Sequence, residues 1–506
     1  MRQLLFIVIS ILGLLANSAP MIFSKTIDET RPSTVGLGHI EFPTSGTAEA
    51  QPWFMRGMLL LHNFQYDDAK EAFRHAQQID ASFAMAYWGE AMTANHPLWN
   101  EQNLKEGRAI LHRLASNPKA RLAKASTTRE QGYLRAIDAL YGDGDRSTRN
   151  QAYVNAMHQL TKEFPHDLEA SAFYALAILG NAQGERDTAT YMKAAAIAED
   201  VFRKNPAHPG AVHYLIHSYD DPIHAPLGLY AARIYSSLAP AASHAQHMPS
   251  HIFMALGMWD EVITANEAAW ASSEARIKRK GLTISARPYH TLKWLMYAYL
   301  QTDRVKEAKR VLTIIEENAQ ESESRYVKGY QASMRAMFIV ESQKWNIKHF
   351  RLDRSGLRFS FAASELFATG MSAINTNNLP IAKQALAQLH TRIDPKQSTS
   401  SLSRDGVAGL SMAKALEALI LLQESDPQKA LTVLREAAAL EDSLPYDYGP
   451  PTPIKPTHEL LGEVFIKLNQ PEKAKEEFKQ ALKRAPKRRL SLLGLTTLNH
   501  SKKGGG

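Results

Sequence analysis

Residues 213–251 read HYLIHSYDDPIHAPLGLYAARIYSSLAPAASHAQHMPSH, and the spacing of the histidines in this stretch determines how the whole chain is interpreted. The stretch holds six of the 19 histidines in the chain. His213 and His217 are four residues apart, and His247 and His251 have the same spacing. On an α-helix, residues four apart lie on one face, one turn from each other. Each pair can therefore direct two imidazoles toward one point.

The two pairs are related to each other, because His213 lies 34 residues before His247 and His217 lies 34 residues before His251. This spacing is the period of the tetratricopeptide repeat, a helix–turn–helix unit that stacks into a solenoid. Small and aromatic residues also match the repeat signature near both ends of the chain, at Trp53, Gly57, Ala69, Phe73, Ala76, Leu461, Gly462, Phe465, Ala474, Phe478 and Ala481. The sequence therefore predicts an all-α, right-handed solenoid of helix–turn–helix repeats, entered by an extended N-terminal arm.

The N-terminus has the features of a secretory signal peptide. Met1 and Arg2 precede an apolar run, and small residues follow at Ala16 and Ser18. The run is short for a membrane span, so we expect a signal peptide over residues 1–18, with an uncleaved anchor as the alternative. Cleavage would give an exported protein, periplasmic or extracellular, with no stable membrane span.

The rest of the chain divides into six predicted segments. They are an extended arm at 19–50, N-terminal helical repeats at 51–205, histidine-rich repeats at 206–280, middle helical repeats at 281–440, a proline-rich loop at 441–457 and a C-terminal repeat at 458–500.

Composition excludes several classes of site. Lys and Arg number 59 against 51 Asp and Glu, a net charge of +8, but no basic stripe is interleaved with aromatics, so we expect no nucleic-acid partner. The chain has no cysteine, which excludes disulfides, thiolate metal sites and cysteine nucleophiles. Any metal must be held by imidazole, carboxylate, carbonyl or water ligands.

The histidines are the predicted metal ligands, with zinc and copper as the expected ions. Spacing divides them into two sets of three imidazoles, which could hold one catalytic metal with an open position or two metals together. The first set is His213, His217 and His224, and the second is His244, His247 and His251.

Acidic and aromatic residues are candidates for supporting roles. Asp220 and Asp221 could orient a ligand imidazole or could cap a turn. Glu90 and Glu463 are the candidate catalytic carboxylates for moving a proton. The helix around Glu463 begins like a zinc-protease helix at His458 but lacks the second histidine of that motif. In the proline-rich loop, Tyr446 and Tyr448 could cap a pocket or pack on the surface.

Four segments together resemble a group of exported bacterial tetratricopeptide-repeat proteins with a histidine-rich HxxxH…HxxHxxxH core. They are residues 211–261 around the histidines, GHIEFPTSG at 38–46, AMAYWGEAMTANHPLW at 84–99 and YGPPTPIKPTHELLGE at 448–463. The resemblance extends over about residues 36–495. It implies the repeat fold and implies that these segments belong to one site, but it names no reaction.

Two classes of function follow. In the first, the protein is a cell-envelope metalloenzyme whose groove holds a small-molecule or peptide substrate. Zinc would make it a hydrolase, and copper an oxidoreductase. In the second, it is a non-catalytic scaffold whose groove binds a peptide or protein, as repeat arrays commonly do.

Overall fold

A computed structural model describes residues 32–182, 186–346, 354, 356–393, 402–446 and 448–503 of the protein. The predicted signal peptide at 1–18 lies outside these ranges. Among the described residues, no helix is both long enough and apolar enough to cross a bilayer.

The described chain is helical almost throughout. Its helices are α1 (Gln51–His62), α2 (Tyr66–Ile79), α3 (Ala84–Met92), α4 (Leu104–Leu114), α5 (Pro118–Leu122), α6 (Thr128–Leu140), α7 (Arg146–Glu163), α8 (Leu168–Asn181), α9 (Thr188–Lys204), α10 (Pro209–Ser218), α11 (Ala225–Leu238), α12 (Ser243–His247), α13 (Pro249–Ala255), α14 (Trp259–Lys280), α15 (Tyr289–Gln301), α16 (Val305–Glu321), α17 (Arg325–Ser342), α18 (Phe359–Asn375), α19 (Leu379–Arg392), α20 (Arg404–Gln423), α21 (Pro427–Asp442), α22 (Thr457–Lys467), α23 (Pro471–Arg484) and α24 (Arg489–Lys503).

One small hairpin interrupts the helices. Strands β1 (Asn95–His96) and β2 (Glu101–Gln102) pair in antiparallel fashion around the 3-10 turn Pro97–Trp99. This hairpin was not predicted, because strands of two residues carry no measurable alternation. It places His96 and Trp99 beside the histidine-rich repeats.

Consecutive helices pack against one another along most of the chain, so the predicted all-α solenoid of helical repeats is confirmed. The repeat signature explains how the helices approach. The ring of Phe73 on α2 fills the space between Gly57 on α1 and Gly89 on α3, where an added Cβ would lie 2.6 Å and 2.4 Å from that ring. In the C-terminal repeat, Phe478 packs in the same way between Gly462 and Gly494. Glycine is required at these contacts because the aromatic ring takes the place of a side chain.

The N-terminal arm packs on α1 and on the segments just before α10 and α12. The backbone of His39 donates to the carbonyl of Ala207 at 2.9 Å, and Ala241 donates to the carbonyl of Gly36 at 2.9 Å. Phe42 is buried, and its ring lies 5.6 Å from the ring of Phe54. The arm therefore ties α1 to the segments just before α10 and α12.

The C-terminal repeat returns to pack on the middle helices. Arg488, which precedes α24, is fully buried and donates to Glu459 on α22 at 2.8 Å and to Glu341 on α17 at 2.7 Å. Its guanidinium also donates to the hydroxyl of Tyr297 on α15 at 3.0 Å. Two carboxylates raise the pKa of Arg488 against the opposing effect of burial. This contact fastens α22 and the start of α24 to α15 and α17.

Candidate metal centre

Three imidazoles from two neighbouring repeats converge at the centre of the site. The Nε2 atom of His213 lies 3.2 Å from the Nε2 of His217 on the same helix. It lies 3.2 Å from the Nε2 of His244, which α12 presents from the next repeat. Ligand atoms of all three residues fall within 4.8 Å of one another. Two nitrogens that bind one tetrahedral ion at 2.0–2.1 Å are separated by about 3.3 Å, so both 3.2 Å separations fit a metal site, and they fit N–H···N hydrogen bonds between the rings as well.

The hydrogen bond to His213 determines which ring nitrogen is free. Its Nδ1–H donates to the backbone carbonyl of His62 at 2.7 Å, and a carbonyl oxygen can only accept. Burial, together with the neighbouring His217, lowers the pKa of His213 well below its usual value, so the ring is neutral. The Nε2 atom of His213 therefore carries an electron pair, which can accept a hydrogen bond from a neighbouring imidazole or bind a metal ion.

His217 also belongs to a second group, with Asp220 and His251. The Nδ1–H of His251 donates to the carboxylate of Asp220 at 2.5 Å. This is the carboxylate–histidine contact that commonly orients a metal ligand. Of the two roles left open for the acidic pair, Asp220 makes the contact with an imidazole that the orienting role requires.

Asp221 has the other role. One of its oxygens accepts from the backbone N–H groups of Ile223 and His224, each at 2.9 Å, which caps the turn before α11. Both oxygens also lie 2.9 Å from Nδ1 of His224. The structure thus groups the histidines differently from the two predicted sets, with His244 beside His213 and His217 and with His224 in the turn.

The two candidate carboxylates are engaged in ion pairs. Glu90 is fully buried and accepts from Arg74 at 2.7 Å and from Arg113. Glu463 accepts from Lys455 at 2.5 Å, beside the buried pair of Lys455 and Glu459. Neither carboxylate belongs to the histidine groups found in the described residues. Of the acidic residues considered, Asp220 is the one that lies among the histidines, in the group with His217 and His251.

A third group, His62, Glu169 and His208, is structural in character. Glu169 accepts from Nε2 of His62 at 2.7 Å and lies 3.1 Å from Nε2 of His208. The other nitrogen of each ring is also engaged: Nδ1 of His62 by the hydroxyl of Tyr214 at 2.8 Å, and Nδ1 of His208 by the backbone of Ala211 at 3.1 Å. Three of the four ring nitrogens are hydrogen-bonded, and the group positions His62, whose backbone carbonyl accepts from His213.

Two aromatic residues and one histidine that sequence reasoning missed border the cluster. The Phe64 ring lies 4.2 Å from the His213 ring and 5.5 Å from the His244 ring. Further along, the His290 ring lies 4.6 Å from the His247 ring, and the Trp294 ring lies 4.4 Å from the His251 ring. His290 and Trp294 lie four residues apart on α15, but they fall outside the 34-residue period of the histidine pairs and form no second histidine pair, so they were not predicted.

Phe64 stands out because of its backbone conformation. It has a φ of 52°, in the left-handed region that bulky residues seldom adopt. Equivalent turns between later helices carry smaller residues in this conformation, with φ of 64° at Gly257, 60° at Asp303 and 54° at Asn469. Placing an aromatic ring here puts it against His213 and His244, which favours a role at the site.

Two clefts border the histidine cluster. One is bordered by His244, His247 and His290 together with Phe64, Tyr66, His96 and Trp99, the last of which is 43% exposed. The other is bordered by Asp220, His251 and the proline-rich loop. In that loop the Tyr448 ring lies 5.4 Å from the His251 ring. Of the two interpretations of the loop tyrosines, pocket lining is the one that the structure supports.

Burial of neutral histidines predicts a pH-dependent stability for the metal-free protein. His213 and His247 are almost fully buried, and burial holds the pKa of each well below 6.5. The unfolded chain therefore binds more protons than the folded one below about pH 6.5, and stability falls as the pH falls. We expect the two residues to lower the free energy of unfolding by about 2–3 kcal/mol between pH 7.5 and pH 5.5. Urea denaturation at the two pH values measures this, and an unchanged or increased stability at pH 5.5 would contradict it.

Comparisons with known proteins agree with the repeat assignment. Residues 50–83 and 456–488 match the family model for the tetratricopeptide repeat, so the chain contains such repeats near both ends of its helical part. None of the curated proteins is significantly similar to the chain.

Several solved structures are similar over most of the chain. Yeast Tom70 is 12% identical, with 90% of this chain and 96% of that chain covered and a TM-score of 0.35. The Cut9–Hcn1 hetero-tetramer of the APC/C is 12% identical, with 90% and 78% covered and a TM-score of 0.36. Ypp1 is 10% identical, with 90% and 85% covered and a TM-score of 0.37. The fold assignment rests on the helices and packing of this chain itself.

Proposed function

We propose that this protein binds a transition metal ion, zinc or copper, through the Nε2 atoms of His213, His217 and His244. The observation that carries the proposal is the convergence of these three nitrogens, at 3.2 Å from His213 to each of the others. Imidazole ligands without any thiolate suit both ions. The held Nδ1–H of His213 supports the proposal further, because it fixes the ring with its electron pair toward the proposed ion.

Three protein ligands favour a catalytic role for the ion. Structural zinc sites usually take four protein ligands, whereas catalytic sites take three and leave a position for water or substrate. The cleft beside His244, bordered by Phe64, His96 and Trp99, gives a ligand access to that position. The proposed class is therefore a metalloenzyme, a hydrolase with zinc or an oxidoreductase with copper.

The repeats favour a second candidate function, the binding of a peptide or protein. Arrays of this kind present extended surfaces to partners, and the tetratricopeptide repeats at 50–83 and 456–488 support that use here. The signal peptide predicted at 1–18 would place either function in the periplasm or outside the cell.

Metal loading of the untagged mature protein tests the proposal. After chelator treatment and separate dialysis against Zn²⁺ and Cu²⁺, we expect retention of roughly one equivalent or more of at least one ion. Turnover of ester, phosphate, peptide and phenolic substrates by the loaded protein then separates the enzyme from the scaffold. Retention below about a tenth of an equivalent of both ions would defeat the metal proposal. Retention without any metal-dependent turnover would favour the scaffold.

A further inference from the structure

We propose that the cleft beside His244 binds a small, uncharged phenol, with the aromatic ring against Trp99 and the hydroxyl group toward His290. The cleft holds about 770 Å³ of free space when its open mouth is included, a volume typical of small-molecule sites. That this phenol is the substrate of the metal centre rests on the proposed function, because His244 is a proposed ligand and borders the cleft. The binding itself depends only on side chains of the cleft.

Trp99 provides a surface on which an aromatic ring can lie. All seven tryptophans of the chain fall within the described residues, and Trp99 alone is exposed there, at 43%. It ends the 3-10 turn of the β1–β2 hairpin and borders the cleft. Leaving an apolar ring in water is unfavourable, and aromatic side chains that line a concave site commonly contact a ligand. The exposed indole therefore favours an aromatic ligand.

Four other rings hold the indole in place. The rings of His244, Phe64, Tyr66 and His96 form a stack, with successive centres 5.5 Å, 5.2 Å and 4.0 Å apart and interplanar angles of 18°, 24° and 24°. Trp99 stands across this stack, at 77° to 85° to each ring and with centre distances of 5.3 Å to 6.0 Å. Edge-to-face contacts of this kind are stabilising. The stack thus fixes the indole on one side and leaves its exposed part to a planar ligand.

His290 provides an acceptor for a hydroxyl group. It borders the same cleft and is partly exposed, and neither of its ring nitrogens is hydrogen-bonded to another described residue. Burial lowers the pKa of His290 to about 4, so the imidazole is neutral at pH 7. One nitrogen of a neutral imidazole carries an electron pair that accepts a hydrogen bond. A hydroxyl group on the ligand supplies the matching donor.

The charges around the cleft disfavour an anionic ligand. Among the described residues that border it, Arg276 is the one lysine or arginine, and its guanidinium already donates to the two oxygens of Asp68 at 2.8 Å and 3.1 Å. Asp67, the other charged residue at the border, is acidic. A carboxylate or phosphate would lose its hydration here without gaining a free cation. A phenol, with an ordinary pKa near 10, enters uncharged.

Binding to the unaltered, metal-free protein tests the chemistry of the cleft without any variant. The probes are p-cresol, toluene, which lacks the hydroxyl group, and p-toluate, which is an anion, each titrated by ligand-observed NMR. We expect p-cresol to bind about fivefold more tightly than toluene, as one net hydrogen bond gives, and p-toluate to bind most weakly. Equal binding of p-cresol and toluene, or tighter binding of p-toluate, would overturn the proposal. A tyrosine-containing tripeptide that binds more tightly than p-cresol would overturn the assignment to a small molecule.

Two variants locate the ligand. Trp99→Ala should weaken p-cresol binding by about fivefold or more, which is the usual loss when a stacking side chain is removed. Its control is Tyr326→Ala on α17, outside the cleft and similarly exposed at 41%, which should leave the affinity unchanged. His290→Leu should abolish the preference for p-cresol over toluene and keep the toluene affinity within a few-fold. Equal losses in the Trp99 and Tyr326 variants, or a preference that survives His290→Leu, would overturn the proposal.

The same protein separates this inference from the proposed function. If it retains metal but does not bind p-cresol, the phenol site is overturned and the metal site stands. If it binds p-cresol with the expected selectivity but retains neither Zn²⁺ nor Cu²⁺, the phenol site is supported and the metal site is overturned.

Discussion

Replacement of Arg488 by alanine is expected to lower the free energy of unfolding by about 3–5 kcal/mol, because it leaves two buried carboxylates without their common partner. Glu459 and Glu341 accept from this guanidinium at 2.8 Å and 2.7 Å, and all three side chains are almost fully buried. Burial alone would raise the pKa of Glu459, but Arg488 and Lys455 together lower it to about 2. Burial already raises the pKa of Glu341, and the charge of Arg488 opposes that effect. Removing Arg488 takes this opposing charge away.

Arg489 provides a matched control at the next position in the chain. It pairs with Asp303, a residue whose side chain is 65% exposed, and exposed pairs contribute little. Arg489→Ala should therefore change stability by less than about 1 kcal/mol. Urea denaturation of both variants measures the difference. Equal, small effects at the two positions would contradict the account of how the C-terminal repeat is fastened.

Replacement of His213 by alanine is expected to lower metal affinity by more than about 100-fold. Loss of a residue that merely orients a ligand typically lowers affinity 10–100-fold, and loss of the central ligand should exceed this range. Nε2 of His213 lies 3.2 Å from Nε2 of both His217 and His244, so its removal takes away the nitrogen that is close to both of the other proposed ligands. Competition with a chelator of known affinity measures the change.

His224→Ala serves as the matched control, because it lies in the same repeat and bonds to Asp221 within the turn. The metal affinity of the His224→Ala variant should stay within a few-fold of that of the unaltered protein. A similar loss in both variants, or no loss in His213→Ala, would show that the ion binds elsewhere.

Much of the fold could be predicted from the sequence, because tetratricopeptide repeats are local. The spacing of Gly57 and Phe73 reports contacts between consecutive helices, and the structure confirms them. The four-residue spacing and the 34-residue period also brought His213, His217, His247 and His251 into consideration together.

The rest of the site depends on contacts that sequence spacing does not encode. His290 follows His247 by 43 residues and so departs from the period of 34. Tertiary packing brings Asn266 to within 2.6 Å of Nδ1 of His247 and Asp220 to within 2.5 Å of Nδ1 of His251. Arg488 likewise contacts Tyr297, which lies 191 residues earlier in the chain. His224 was grouped with His213 and His217 by its spacing in the sequence. The structure places it in the turn that Asp221 caps.

Anomalous diffraction from crystals of the zinc-loaded protein, recorded at the zinc edge, tests the central claim most directly. The account predicts a peak about 2.0–2.1 Å from the Nε2 atoms of His213, His217 and His244. Bound zinc that gives no peak at this point, with anomalous density only at histidines on the exposed surface, would contradict it.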